Sequence, residues 1–303
     1  MYKNAEELLN ICASEGKRIW EVALDNEVKL TGMSRTRVME HFSNRLDIMF
    51  NSALKALENK QATKGGLIDG VANCQYEYSK KESITGGYIN YVMSLAYSCS
   101  EVNASMGKIC ASPTAGSCGI VPAVLLGVME DKKVSREKTL EALITASAVG
   151  AIFTKNATVA GADGGCQAEC GVAASMAAAA AAYMMGASDD RCLDAAGFAM
   201  INVMGLVCDP VAGLVEMPCT KRNASGVTNA ILCCDLAMAG ITSHIPFDEV
   251  VDAMFRVGKA LPSTLRETAL GGIAVTPTGI ALKEKIFGGG GCSGNCASCG
   301  ACK

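Results

Sequence analysis

Cys166, Cys208 and Cys219 stand in three segments marked by glycine or proline: GADGGCQAECG, VMGLVCDPVAG and VEMPCTKRN. They lie 42 and 11 residues apart. That spacing is too wide for a ferredoxin box or a zinc finger, whose ligands come in tight pairs. Three thiolates gathered by tertiary folding can instead hold a four-iron, four-sulfur (4Fe-4S) cluster and leave one iron without a protein ligand. An open iron is a Lewis acid, which points to chemistry on a bound substrate rather than electron storage. The plainer reading of the same residues is buried free cysteine. Cys170, four positions after Cys166, falls on the same helical face and is read as packing. Gly161, Gly164, Gly165 and Gly171 suit a place where backbone must approach a bulky group.

A second segment with chemical potential is SPTAGSCG, residues 112–119. Its backbone N–H groups and the Thr114 and Ser117 hydroxyls can face an anion, with Gly116 opening the turn. From its residues alone it reads as well as a tight helix-to-helix connection whose hydroxyls satisfy one another. Asn103 and Ser105, just upstream, are weaker candidates for the same pocket. Lys221, Arg222 and Asn223 follow Cys219 directly, where a cation can offset negative charge or hold a carboxylate; a solvated charge pair is the alternative. Lys64 in TKGG is equally open. The two histidines, His41 and His244, read as a surface residue and a loop residue. Neither sits in a motif, so an imidazole base need not come from this chain.

Helix-period patterns must position these residues. Leu8, Leu9, Ile11 and Cys12 form an apolar face behind acidic Glu6 and Glu7. Phe247, Val250, Val251, Met254 and Val257 repeat at helical spacing between Pro246 and Gly258. VAASMAAAAAAYMM (172–185) joins high helix propensity to small side chains that permit close approach. The charged run 130–138 marks a surface crossing. Alternating strand patterns are scarce, so the fold class predicted is all-α: one mostly helical domain over 1–287 with buried Ala/Gly-rich central helices. Residues 288–303 are set apart as a flexible Gly/Cys-rich tail.

Composition narrows the function. Half of the 303 residues are hydrophobic and 19% are charged, which suits a large core and a buried partner face. A net charge of −3 leaves no basic footprint, so no nucleic acid partner is expected. The longest charge-free stretches carry proline or are mostly alanine, unlike a membrane span. No export signal opens the chain, and its 16 cysteines fall short of a disulfide scaffold. Reduced thiols in the cytoplasm are expected, with Cys12, Cys99, Cys192, Cys233 and Cys234 as small core residues.

Four ordered segments carry a more specific signal: EVNASMGKICASPTAGSCGIVPAVL (101–125), GADGGCQAECG (161–171), CDPVAGLVEMPCTKRN (208–223) and LRETALGGIAVTPTG (265–279). In these the chain resembles the alpha subunit of the iron-sulfur-dependent bacterial L-serine dehydratases. The resemblance implies an all-helical catalytic domain, a non-redox, oxygen-sensitive 4Fe-4S cluster on Cys166, Cys208 and Cys219, and no pyridoxal phosphate. It implies a carbon–nitrogen lyase that turns L-serine into pyruvate and ammonia, with the open iron polarising the substrate hydroxyl. Substrate binding then falls to Thr114, Gly116, Ser117, Asn103, Arg222 and Asn223. Single-chain relatives carry SSHTxGP-like and HH-containing segments that are missing here, which implies a separate beta subunit supplying the catalytic base. In relatives a C-terminal cysteine folds back onto the open iron; Cys302 is the nearest positional match and Cys299 the next. Cys292, Cys296, Cys299 and Cys302 also give C-x3-C-x2-C-x2-C, which keeps an electron carrier or scaffold as a second reading. Cysteine desulfidation is the alternative within the same chemistry.

Overall fold

The computed structural model describes residues 2–288. Within them the chain forms α1 (Ala5–Glu15), α2 (Ile19–Thr31), α3 (Arg35–Glu58), α4 (Val71–Ser79) and α5 (Gly86–Ala104). After the 105–119 segment come α6 (Ile120–Lys132), α7 (Arg136–Asn156), the one-turn α8 (Gly161–Gly164), α9 (Val172–Met184) and α10 (Asp189–Ile201). The last three are α11 (Cys219–Met238), α12 (Phe247–Ala260) and α13 (Pro277–Phe287). Among the described residues there is no strand, only an isolated parallel bridge between Cys208 and Arg266. The all-α expectation is met, and the charged run 130–138 contains the break between α6 and α7.

Local chemistry sets the helix ends. The Asn4, Ser34 and Ser135 side chains accept N–H groups three residues on, satisfying donors that a helix start leaves unpaired. Gly16 and Gly32 close α1 and α2 in the left-handed region that a side chain resists. Packing then decides the tertiary arrangement. Every residue of α9 is buried, against α6, α7, α10 and α11. Its run of methyl side chains lets four helices close on one axis, where larger groups would overpack the centre. On α12, Phe247, Val250, Val251 and Met254 face inward, and the Phe247 ring meets Phe153 edge-on at 5.4 Å. Burial of each such side chain contributes about 1.5–3 kcal/mol, so the apolar face holds this helix in place. The five cysteines assigned to the core are buried. His41 departs from its expected exposure: it is half-buried, because α3 packs against α2, α4, α5, α6 and α7.

Three connections bring the chemical residues to one place. The first runs from α8 through Cys166 into a π-helical turn, Gln167–Gly171, that leads into α9. Single π turns of this kind commonly re-aim side chains at functional sites. Buried Gln167 locks it, donating to Met254 O at 3.0 Å and accepting Gly205 N–H at 2.8 Å. Gly165 is required at the bend: its φ is +76°, and a Cβ would come within 2.6 Å of Leu261 and 2.8 Å of Leu206 O. The second connection, 202–218, carries Cys208. The third, 261–276, returns beside it, with Cys208 N–H donating to Leu265 O and Glu267 N–H to Cys208 O, each at 2.8 Å.

Candidate active site

Cys166, Cys208 and Cys219 are all buried and lie close enough to act on one another electrostatically. Burial, with Cys166 as the next influence, raises the Cys208 thiol above its ordinary range and pushes Cys219 up to about 12. Cys166 moves the other way. A hydrogen bond from Cys170 lowers it, against the opposing effect of burial, and the Arg222 guanidinium adds to the lowering. Cys170 is therefore a buried partner to Cys166 as well as a packing residue. Cys219 is the first residue of the 20-residue α11, where free N–H groups favour negative charge.

Glu169 sits at the centre of this arrangement. It is buried, which raises its carboxyl pKa, and its Oε2 lies 3.9 Å from Cys208 Sγ. The Thr114 hydroxyl donates to its Oε1 at 2.8 Å, and Ser117 Oγ lies 3.2 Å from Thr114 Oγ1. Glu267 completes the set: one donor atom each of Glu169, Cys208 and Glu267 lies within 4.8 Å of the other two. Glu267 is exposed and holds a φ of +64°, uncommon for a residue with a side chain. A Cβ at Gly161 would lie 2.6 Å from Glu169 Oε2 and 3.1 Å from Glu267 Oε2, so the missing side chain keeps that gap open.

Buried polar residues hold the walls in register. Asn223 accepts Gly119 N–H at 2.9 Å and donates to Gly116 O at 2.7 Å and Cys219 O at 2.8 Å, fastening the 112–119 loop to α11. Asn103 reaches the same loop at Ala115 O, at 3.4 Å. Arg222 donates to Val207 O and to Asp209 Oδ1, each at 2.8 Å. Asp209 takes Ile273 N–H on its other oxygen at 2.8 Å, tying the return segment to the cysteine segment. Its carboxylate occupies the space a side chain at Gly272 would need. Glu216 grips a distant loop, accepting from Gly65 N (2.6 Å), Leu67 N (2.9 Å) and Thr63 Oγ1 (3.0 Å).

The structure thus gathers Thr114, Gly116, Ser117, Asn103, Arg222 and Asn223 with the three cysteines. Ser105 bonds back to its own helix at Val102 O, and Lys64 and Lys221 are exposed. Cys302, Cys299 and the other tail cysteines lie outside the described residues. Sequence reasoning missed Glu169, Glu267, Asp209 and Glu216. The signal was present: each is an acid inside one of the four segments, and Glu169, Asp209 and Glu216 are buried. An acid kept among small and apolar neighbours has a specific partner more often than not.

The fold and the site together define an all-helical chain with a thiol–carboxylate group, two of its three members buried, that could hold a metal ion. It matches the serine dehydratase alpha chain family model over residues 14–274, and belongs to that family. It is 45% identical to the "L-serine dehydratase, alpha chain" of Peptoniphilus asaccharolyticus, over 95% of this chain and 99% of that one. It is 43% identical to the "Probable L-serine dehydratase, alpha chain" of Bacillus subtilis, over 95% and 96%. Against the longer "L-serine dehydratase" of Helicobacter pylori it is 34% identical, over 91% of this chain and 62% of the relative.

Proposed function

We propose that this chain is the catalytic alpha subunit of an L-serine dehydratase, a carbon–nitrogen lyase forming pyruvate and ammonia, and that Cys166, Cys208 and Cys219 hold its 4Fe-4S cluster. What supports this reading is that three buried motif thiols lie close enough to influence one another, with segments 112–119 and 261–276 joined to them through Glu169 and Cys208, in a chain of this family. The donor set fits the cluster. Three buried thiols offer soft ligands, Arg222 beside Cys166 offsets negative charge, and the start of α11 adds N–H groups near Cys219. A cluster bound there supplies a Lewis acid for the substrate hydroxyl.

The chain's own residues do the rest. The 112–119 loop, held by Asn103 and Asn223, receives the amino acid through Thr114, Gly116 and Ser117. Arg222, itself fixed by Asp209, sets the charge balance of the wall behind it. Loss of the Cα proton and of hydroxide yields aminoacrylate, which tautomerises and hydrolyses. Neither His41 nor His244 belongs to the segments lining the centre, and the base comes from a beta subunit. Exposed Leu270, Ile273, Val275 and Ile280, just beyond Glu267, support a partner face beside the site. No helix among the described residues is long and apolar enough to cross a membrane.

The test is anaerobic purification with iron analysis, then assay of pyruvate and ammonia from L-serine with and without the beta chain. Equal amounts of both products, only when the two chains are present, are expected. A cluster-loaded pair that forms neither product from L-serine overturns the reading.

A further inference from the structure

The hydrogen-bond directions at the centre of the site say which end of an amino acid it takes there. Thr114 has one hydroxyl proton, and it goes to Glu169 Oε1 at 2.8 Å. Ser117 also donates within the wall, to the Thr114 hydroxyl oxygen at 3.2 Å or to the Thr114 carbonyl at 3.5 Å. Both hydroxyl protons are thereby used within the wall. Toward the gap it presents acceptors: the remaining lone pair of Thr114 and the free positions of the Glu169 carboxylate. Glu267 borders the same gap, its carboxylate within 4.8 Å of Glu169 and of Cys208 Sγ, and Gly161 leaves the space between the two acids clear.

Two carboxylates beside thiols repel one another unless a cation lies between them. Of the cations nearby, Arg222 pairs with Asp209 and Lys259 with Asp163, while Arg266, next to Glu267 in sequence, forms an ion pair with neither acid. Among the described residues no ion pair engages Glu169 or Glu267. We infer that Glu169 and Glu267 clamp the α-ammonium group of the substrate, so that this gap selects an amino acid over the hydroxy acid of the same shape. The inference rests on the reading that the site takes L-serine, and it assigns the acceptor-lined gap to the opposite end of the molecule from the carboxylate.

The experiment compares L-serine with L-glycerate, which replaces the ammonium by a hydroxyl and keeps the rest. For the parent, Glu169→Gln and Glu267→Gln, the apparent KM for L-serine and the inhibition constant of L-glycerate are measured on the anaerobic, cluster-loaded enzyme, with iron content and visible absorption recorded for all three. Loss of a charged partner is expected to weaken L-serine binding by about 10-fold or more, while L-glycerate binding is unchanged or tighter. Buried Glu169 touches Cys208, so its variant can fail to load iron; Glu267, on the exposed edge, then carries the test alone. A Glu267→Gln enzyme that binds L-serine like the parent, or weakens for both ligands equally, overturns the clamp. A parent enzyme that turns over no L-serine overturns the substrate reading and the clamp with it; turnover by the parent with Glu267→Gln unaffected overturns the clamp only.

Discussion

Replacing Asn223 by alanine tests whether the loop at 112–119 depends on its fastening to α11. The residue is 1% exposed and makes three hydrogen bonds, two of them to the loop. Alanine removes all three and leaves Gly119 N–H and Gly116 C=O without their partner. Each such loss costs about 1–3 kcal/mol when the group cannot reach water, so the expected destabilisation is about 2–6 kcal/mol. With an unfolding entropy of about 2.1 cal/mol/K per residue over 303 residues, that corresponds to a fall in Tm of about 3–9 °C. The loop's carbonyl at Gly116 is also released, so the apparent KM for L-serine should rise with little loss of iron. Asn223→Asp keeps the acceptor for Gly119 but sets a carboxylate against two carbonyls, and should fall at least as far. Thermal unfolding by circular dichroism and anaerobic steady-state kinetics read both effects. An alanine variant within about 1 °C of the parent, inside the range of neutral surface changes, and with an unchanged KM, would refute the reasoning.

Three further outcomes are expected. Iron binding should strengthen with pH: Cys208 is held above the ordinary thiol range and Cys219 at about 12, and metal needs both as thiolates. The metal-free chain then carries more protons than the loaded one, so chelator competition should retain more iron at about pH 8.5 than at about pH 6.5; a flat or inverted profile contradicts this. Cys170→Ala should keep its iron, since Cys170 acts through a hydrogen bond to Cys166; iron analysis giving less than half the parent content would make Cys170 a ligand. Removing residues 292–303 should lower the apparent KM for L-serine and shorten the cluster's lifetime in air, as expected of a tethered thiol competing with substrate; kinetics and lifetime both unchanged would exclude that role.

The parts of this molecule legible in its sequence are those set by local pattern. The apolar spacing from Phe247 to Met254 becomes the buried face of α12, and the alanine-rich run becomes the fully buried α9, which stops at Met184, one residue short of the segment read from sequence. The glycines around Cys166 also marked unusual backbone, found at the positive-φ bend of Gly165. What stayed hidden depends on contacts between distant segments. Nothing near Glu169 in sequence shows that Thr114 and Cys208 will meet it, 55 and 39 residues away. Glu216 bonds to residues about 150 positions earlier, and Asp209 to Ile273. The π turn at 167–171 was likewise invisible, since it follows from how Gln167 locks between Met254 and Gly205. Hydroxyl direction mattered most: the residues of 112–119 suggested donors for an anion, whereas the fold supplies an acid that takes the Thr114 proton.

The most direct test of the central claim is the iron and acid-labile sulfide content of Cys208→Ala, prepared without oxygen beside the parent enzyme. Cys208 Sγ lies 3.9 Å from Glu169 Oε2, and Cys208 is buried beside the return segment that carries Glu267. The account predicts loss of most iron and of the cluster's visible absorption, with pyruvate formation lost in parallel and the helical circular dichroism spectrum retained. A folded Cys208→Ala enzyme with the parent's full iron and sulfide content would contradict it.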